Sequence, residues 1–312
     1  MPAASFSIIT PCLNAQTYIA EAIESVLIQH APDVEHIIVD GGSSDGTLEI
    51  LKKFPHLIVV SEPDNGMYDA INKGIGISKG EWIGLLNADD LYPAGSLKQV
   101  LEAVVQDPRL QAVNGGFIVF EDDGNERKTV RVSPSIGANE FWYRIVSGST
   151  APNTWFLRRS VFESYGSYDS RYRYAADREL IMRLALAGLR PLSLEGVNYY
   201  FRQHEGSATF SRQDSRNPLR GEIRTKTTLE SLNIQEEYLA NRKIPAEMRK
   251  ELRYSHSATA YKLAATALYH RKWMRFLNGV WRGCHYDPFW PVIFLGLLAK
   301  RLQKEIGFDV RT

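Results

Sequence analysis

Four short apolar runs, at residues 6–10, 36–39, 57–61 and 82–86, recur through the N-terminal part of the chain. Between them lie stretches of a different period. Over 15–29, Tyr18, Ile19, Ala22, Ile23, Val26 and Leu27 repeat at the spacing of one helix face. Residues 47–54, with Asp45 placed to cap them, and 67–78 also read as helices. Strand and helix in this alternation predict an α/β layer with a mostly parallel sheet. In such sheets ligands sit at the carboxyl ends of the strands. The polar clusters at Asn14, 40–45, 62–65 and 87–90 all follow a strand, so they are expected along one edge.

The sharpest of these clusters ends the run Trp-Ile-Gly-Leu-Leu at 82–86, which continues as Asn87-Ala88-Asp89-Asp90. Two adjacent carboxylates crowd each other unless a positive charge lies between them. A hard divalent cation that also holds phosphate oxygens supplies it. The plainer alternative is an acidic turn leading into a helix over 95–105.

Further along, 112–120 and 127–132 read as a hairpin about 122–125, and 154–157 as a short strand. A helix over 177–187 ends at Gly188, and a strand follows over 198–202. After about residue 212 only helices are expected, over 219–240, 246–269, 272–283 and 289–306. The chain thus divides into an α/β domain over 1–211 and an all-helical extension over 212–312. At 312 residues it can form one large domain or two modest ones. Its net charge of +1 suggests no nucleic-acid partner, but the charge is uneven. Residues 242–312 hold 14 Lys+Arg against 5 Asp+Glu, and the remainder 23 against 31. A basic tail on an acidic body suggests a second task at an anionic surface. The two cysteines form no disulfide or metal framework, which favours a reducing compartment. No signal peptide is expected before Phe6, and the apolar run at 288–299 is short for a membrane span.

Six segments together resemble the inverting glycosyltransferases of family 2, with the GT-A nucleotide-sugar-binding fold. They are TPCLN at 10–14, VDGGSSDGT at 39–47, EPDNGMYDAINKG at 62–74, NADD at 87–90, ADREL at 176–180 and FRQHEGS at 201–207. The resemblance spans about residues 5–209, and the GMYDAINKG form is similar to the branch that builds bacterial surface polysaccharides and glycolipids. It implies a Rossmann-like sheet flanked by helices and transfer from a nucleotide sugar, with UDP the commonest nucleotide, to a glycan or lipid-linked acceptor.

The resemblance also implies roles. Asp40 contacts the base and ribose, or is simply an Asx-turn residue in the Gly-Gly bend. Pro11, Asn14, Asp69 and Lys73 match nucleotide-pocket positions, although Asn14 and Asp69 also suit helix starts. Asn87, Ala88 and Asp89 occupy the place of the family's Asp-x-Asp motif, with Asn departing from it at the first position. Ligation of Mn2+ or Mg2+ then falls to Asp89 or Asp90, and the sequence leaves open which is direct. Arg202 and His204 match an Arg-x-His element, with Arg202 at the diphosphate and His204 at the metal or diphosphate. A structural histidine is the alternative. Asp177 stands in the position of the general base that deprotonates the acceptor hydroxyl during a single inverting displacement. Its alternative is a helix cap.

Trp273, Phe276, Trp281, Phe289, Trp290 and Phe294 lie among basic residues, which suits a peripheral membrane contact through 271–304. Core packing or a homo-oligomer contact is the competing reading. The expected setting is cytoplasmic, at the inner face of the cell membrane if the tail binds there. Two rivals differ in class. A nucleotidyltransferase would carry a Gly-rich basic loop after the first strand, and Pro11-Cys12-Leu13-Asn14 is not one. A non-catalytic nucleotide- or glycan-binding descendant would tolerate loss of Asp177.

Overall fold

The computed structural model describes residues 5–29, 31, 33–124, 126–137, 141–148, 151–207, 218–241, 243–292 and 294–296. The chain forms two compact units, residues 1–141 with 149–217, and residues 142–148 with 218–312. Residues 142–148 group with the helical unit. One reason is a bond from Ser255 Oγ to the Val146 carbonyl at 2.9 Å.

The first unit is built on an eight-stranded sheet. Strands β1 (Phe6–Cys12), β2 (Val34–Asp40), β3 (Ile58–Ser61) and β4 (Trp82–Leu85) are parallel in the order β3-β2-β1-β4. Beyond β4 the sheet turns mixed. β7 (Trp155–Arg158) runs antiparallel to β4 and to β5 (Ala112–Asp123). β5 pairs antiparallel with β6 (Glu126–Ser133) and parallel with β8 (Leu192–Arg202). Helices α1 (Ile19–Leu27), α2 (Thr47–Leu51), α3 (Met67–Ile77) and α4 (Ser96–Gln106) alternate with the strands. After them in the chain come α5 (Phe141–Ser147), which belongs almost wholly to the helical unit, and then α6 (Arg159–Tyr165) and α7 (Ala176–Leu186); α5 and α6 were not foreseen from sequence. The core centres on Phe6, Ile8, Trp82, Leu86, Tyr92, Phe156 and Tyr199.

Two departures from the expected pattern are local. Pro11 lies inside β1 rather than in a loop. Beside it β4 has already ended, because the β1–β4 register stops at Ile9 opposite Leu85. The missing N–H of proline therefore leaves no ladder bond unmade. Helix α1 starts at Ile19, not Ala15, and the amides just ahead of it bond to the segment that follows β2. Ala15 N–H donates to Thr47 Oγ1 at 2.8 Å and Gln16 N–H to Asp45 Oδ2 at 3.1 Å. Asn14, in the left-handed region at φ 51°, makes the turn.

The second unit contains α8 (Pro218–Ala240), α9 (Ala246–Tyr269) and α10 (Trp273–Tyr286). Its core joins Leu232, Ala260, Leu263, Ala264, Trp290 and Phe294. Gly283 lets the Trp290 ring lie directly against α10, where a side chain would collide with it. The expected last helix over 289–306 falls outside the described residues from 297 onward.

Candidate active site

The carboxyl ends of the parallel strands come together as expected. Cys12, Asp40 and Ser61 are neighbours in register at the ends of β1, β2 and β3, and Leu86 N–H bonds to the Ile9 carbonyl at 3.0 Å. The loops that follow are tied to one another. Asn14 N–H donates to Ser43 Oγ at 2.7 Å, and Asn14 Oδ1 accepts from Ser44 N–H at 2.9 Å. Glu62 N–H donates to the Asp40 carbonyl at 3.0 Å.

Asp40 anchors this edge from within. Its Oδ2 accepts from the amides of Gly42 and Ser43 at 3.2 and 3.1 Å and from Ser61 Oγ at 2.7 Å. Its Oδ1 accepts from the Ser43 hydroxyl. The carboxylate has no accessible surface. Burial opposes its charge, yet the Ser43 and Ser61 bonds outweigh burial and lower its pKa. In this geometry the side chain shapes the loop, as an Asx-turn residue does.

The loop before α3 closes in the same way. Lys73 pairs with Glu62 at 2.8 Å, donates to the Pro63 carbonyl at 3.2 Å and lies 3.8 Å from Asp69. The Glu62 hydrogen bond is the main cause of its raised pKa. Asp69 Oδ2 accepts from Asn65 N–H at 3.0 Å. Lys73 and Asp69 remain partly exposed at this loop.

In the turn 87–90 the two carboxylates part company. Asp90 is 3% exposed, with Oδ1 on the Arg202 amide at 2.8 Å and Oδ2 on Tyr199 Oη at 2.9 Å and Asn87 Nδ2 at 3.0 Å. Burial first, and then the charge of Asp89, push its pKa up to about 8. Both oxygens of this carboxyl are thus engaged by groups of the protein. Asp89 is the open one, its side chain 32% exposed and its Oδ2 2.9 Å from His204 Nε2. Asn87 is half-buried and Ala88 buried beneath them.

His204 is oriented by its second nitrogen. Nδ1 accepts from Gly206 N–H at 3.1 Å, so it carries no proton, and Nε2–H donates to Asp89. Ligation through Nε2 needs that proton gone and costs the Gly206 bond. Among the described residues no group of three or more His, Cys, Asp or Glu forms a metal cage. The Asp89–His204 pair nevertheless fits Mg2+ or Mn2+, which complete their shells with substrate phosphates and water.

Arg202, expected at the diphosphate, is buried under the 87–90 turn. Its side chain is 2% exposed, with Nε on the Asp89 carbonyl at 2.9 Å and the Nη atoms on Asp122 and Glu21. The guanidinium also stacks over Tyr18 and Phe120 at 4.7 and 4.8 Å. Three of its N–H donors are thereby engaged within the protein. It holds the main chain of the turn that presents Asp89.

Asp177 lies one residue inside α7, whose N-cap position is Ala175. Its Oδ1 accepts from Arg178 N–H at 2.7 Å, and the Tyr68 hydroxyl donates to its carboxylate. Burial is the largest influence and raises its pKa. Tyr68 stacks on Tyr168 at 5.3 Å, and Asn72 bonds both the carbonyl and the amide of Tyr168 at 2.8 and 3.0 Å. Helix α3 thereby fixes the segment leading into α7. Sequence reasoning assigned no role to Tyr68, Tyr199, Tyr18, Glu21 or Asp122. Only Tyr68 had a signal, its place inside a quoted motif.

The family model described as Glycosyl transferase family 2 matches residues 7–166. A PGL/p-HBAD biosynthesis glycosyltransferase of Mycobacterium tuberculosis is 32% identical over 189 residues, covering 59% of this chain and 70% of that protein. The uncharacterized glycosyltransferase EpsJ of Bacillus subtilis is 28% identical over 219 residues, covering 65% of this chain and 62% of its own length. Among solved structures, S. aureus TarS 1–349 in complex with UDP-GlcNAc has 17% identity and a TM-score of 0.53, covering 92% of this chain and 91% of that one. The mannosyltransferase PcManGT of Pyrobaculum calidifontis, in complex with GDP-Man and Mn2+, has 18% identity and a TM-score of 0.56 over 98% and 88% of the two chains. At such identities the structures speak for the fold, which is GT-A. The family match and the mycobacterial relative carry the rest: the chain belongs to glycosyl transferase family 2 and is a glycosyltransferase.

Proposed function

We propose that the protein transfers a sugar from a nucleotide donor, a UDP-sugar first among those to test, to a glycan or lipid-linked acceptor of the bacterial cell surface. The reaction is a single inverting displacement. The observation that carries the reading is the division of labour among the carboxylates. Asp90 is buried and engaged, Asp89 is open beside His204, and Asp177 is held by a hydroxyl and an amide with its pKa raised.

Asp177 takes the proton of the acceptor hydroxyl as that oxygen bonds to the anomeric carbon. The bond from that carbon to the diphosphate breaks on the opposite face, and the nucleoside diphosphate departs with the electron pair. The Tyr68 hydroxyl and Arg178 amide hold the carboxylate in one orientation throughout. Asp89 and His204 are the residues that would hold Mn2+ or Mg2+. When bound, the ion offsets charge building on the leaving diphosphate. Asn14 and Asn87, in the loops at the same strand ends, and Asp69 and Lys73, on helix α3, are assigned to the nucleotide together with Pro11 and Ala88.

The donor class rests on the neighbouring folds, one seen with UDP-GlcNAc and one with GDP-Man. The acceptor class rests on the relative named for PGL/p-HBAD biosynthesis. No helix among the described residues is long and apolar enough to cross a membrane, and a peripheral place at the inner membrane face is part of the reading.

The test is thermal unfolding with UDP, GDP and other nucleoside diphosphates, with and without Mn2+. A ligand at a hundred times its Kd stabilises the fold by about 2.7 kcal/mol. A metal-dependent rise in midpoint with one nucleotide, lost in Asp89→Asn, is expected. No rise with any nucleotide in folded protein would sink the donor assignment.

A further inference from the structure

Helix α10 is amphipathic in an inverted sense. The residues it turns inward are Gly279, Arg282 and Gly283. Arg282 is neutralised there by two bonds to Glu236, both at 2.7 Å. The opposite side carries Trp273, Leu277 and Trp281 at successive turns, with Met274 beside them, and these four side chains are 56 to 80% exposed. Past the helix, Phe289, Val292 and Leu295 are exposed as well. The aromatic residues of this region thus separate into two sets. Trp290 and Phe294 fill the core of the helical unit with Phe276 packed against them, whereas Trp273, Trp281 and Phe289 face out. A soluble helix normally shows polar residues on its outer face, and a contiguous apolar patch on a folded surface marks an interaction site.

The chemistry of the partner follows from what accompanies the patch. Arg271, Lys272 and Arg275 are exposed at the start of the helix. No acidic residue occurs from Trp273 to Tyr286. The carboxylate next in line, Asp287, is engaged by Ser257 Oγ at 3.2 Å and the Phe289 amide at 3.0 Å. Tryptophan favours the headgroup level of a bilayer, and cations beside an apolar face add attraction to anionic lipid. We infer that the outward face of α10, with Trp273, Met274, Leu277 and Trp281 inserted and Arg271, Lys272 and Arg275 on the headgroups, docks the protein on an anionic lipid bilayer. The inference deepens the peripheral placement of the proposed function. It is independent of the nucleotide chemistry, which the thermal shift reads separately.

The test uses the full chain and two kinds of vesicle, phosphatidylcholine alone and phosphatidylcholine with phosphatidylglycerol. Cosedimentation with the anionic vesicles is expected, weakening with salt, together with quenching of tryptophan emission by brominated lipid. Arg271→Gln/Lys272→Gln/Arg275→Gln should lower partitioning about a hundredfold, from three cations near an anionic surface. Trp273→Ser/Trp281→Ser should remove the quenching with the unfolding midpoint unchanged. Failure of the wild-type protein to bind anionic vesicles overturns the inference without recourse to any variant. So does equal binding by the variants. Light scattering that shows a dimer, converted to monomer by Trp273→Ser/Trp281→Ser, would assign the face to a second copy instead.

Discussion

Burial lifts the pKa of Asp177, and a general base works best when its pKa approaches the operating pH. The acid limb of the rate profile should therefore lie above the ordinary carboxylate range, reporting Asp177. Asp177→Asn keeps the amide bond geometry and the volume but cannot accept the proton. Turnover should fall by about 10² to 10⁴, with the nucleotide-dependent thermal shift retained. His36 makes a second pH-dependent contribution, this time to stability. It is buried, with Nε2 on Thr10 Oγ1 at 2.9 Å, and burial followed by the charge of His56 lowers its pKa to about 3. A histidine depressed in the folded state stabilises the fold above its unfolded pKa, and that stability is lost as pH falls toward the folded value. Between pH 6.5 and 5 His36 alone should cost about 1.6 kcal/mol, the slope approaching about 1.4 kcal/mol per pH unit below the unfolded pKa. Urea unfolding of wild type and His36→Gln at both pH values checks this; an equal pH slope in the two proteins would refute it.

At the scale of elements, strand β4 brings the 87–90 turn to the sheet edge, and its position depends on one close approach. A Cβ on Gly84 would lie 2.5 Å from Phe156 Cε1 and 2.8 Å from Tyr92 Oη, both in the core. Tyr92 donates to the Leu85 carbonyl at 2.9 Å, so neither ring is free to retreat. Gly84→Ala should destabilise the protein by about 1–3 kcal/mol through overpacking, read as a lowered urea midpoint with unchanged slope. Strand β8 supports the turn from the other side. Arg202 on its last position bonds the Asp89 carbonyl, and Tyr199 on the same strand bonds Asp90. The site is thus gripped between a parallel strand and a strand more than a hundred residues later in the chain, with separations of 109 for Tyr199–Asp90 and 113 for Arg202–Asp89.

At the scale of the whole molecule, the residues assigned to donor, metal and base all belong to the first unit, and the outward apolar helix belongs to the second. The second unit has its own polar anchor, in which Glu236 receives Arg282 and also lies 3.0 Å from His256 Nε2. Arg282→Met removes the cation and leaves a half-buried carboxylate, its side chain 21% exposed, without its two charged hydrogen bonds, at a cost of about 2 kcal/mol. Calorimetry should show a lowered unfolding midpoint in the absence of ligand. The increment from nucleotide and Mn2+ should survive, because none of its residues has changed.

The sequence by itself determined the alternation of the first four strands with their helices and the edge at which their polar ends lie. Ile19, Ala22, Ile23 and Val26 can bury together only on one face of a helix, and an apolar run that stops at Asn87-Ala88-Asp89-Asp90 has to end at a surface. The candidate base was legible for a similar reason, since Asp177 stands in a local segment with a recognisable form. Tertiary structure alone decided which charged groups face outward. Asp40, Asp90 and Arg202 look as available in sequence as Asp89 does. They are buried against Ser61, Tyr199, Asp122 and Glu21, partners that local sequence does not disclose. The same limit holds for α10. Periodicity shows that a helix has two faces, but only the packing of Trp290 against Gly283 decides that the glycine face turns inward and Trp273 and Trp281 turn out. Period is a local property of the chain, whereas burial depends on residues distant in sequence that fold against it.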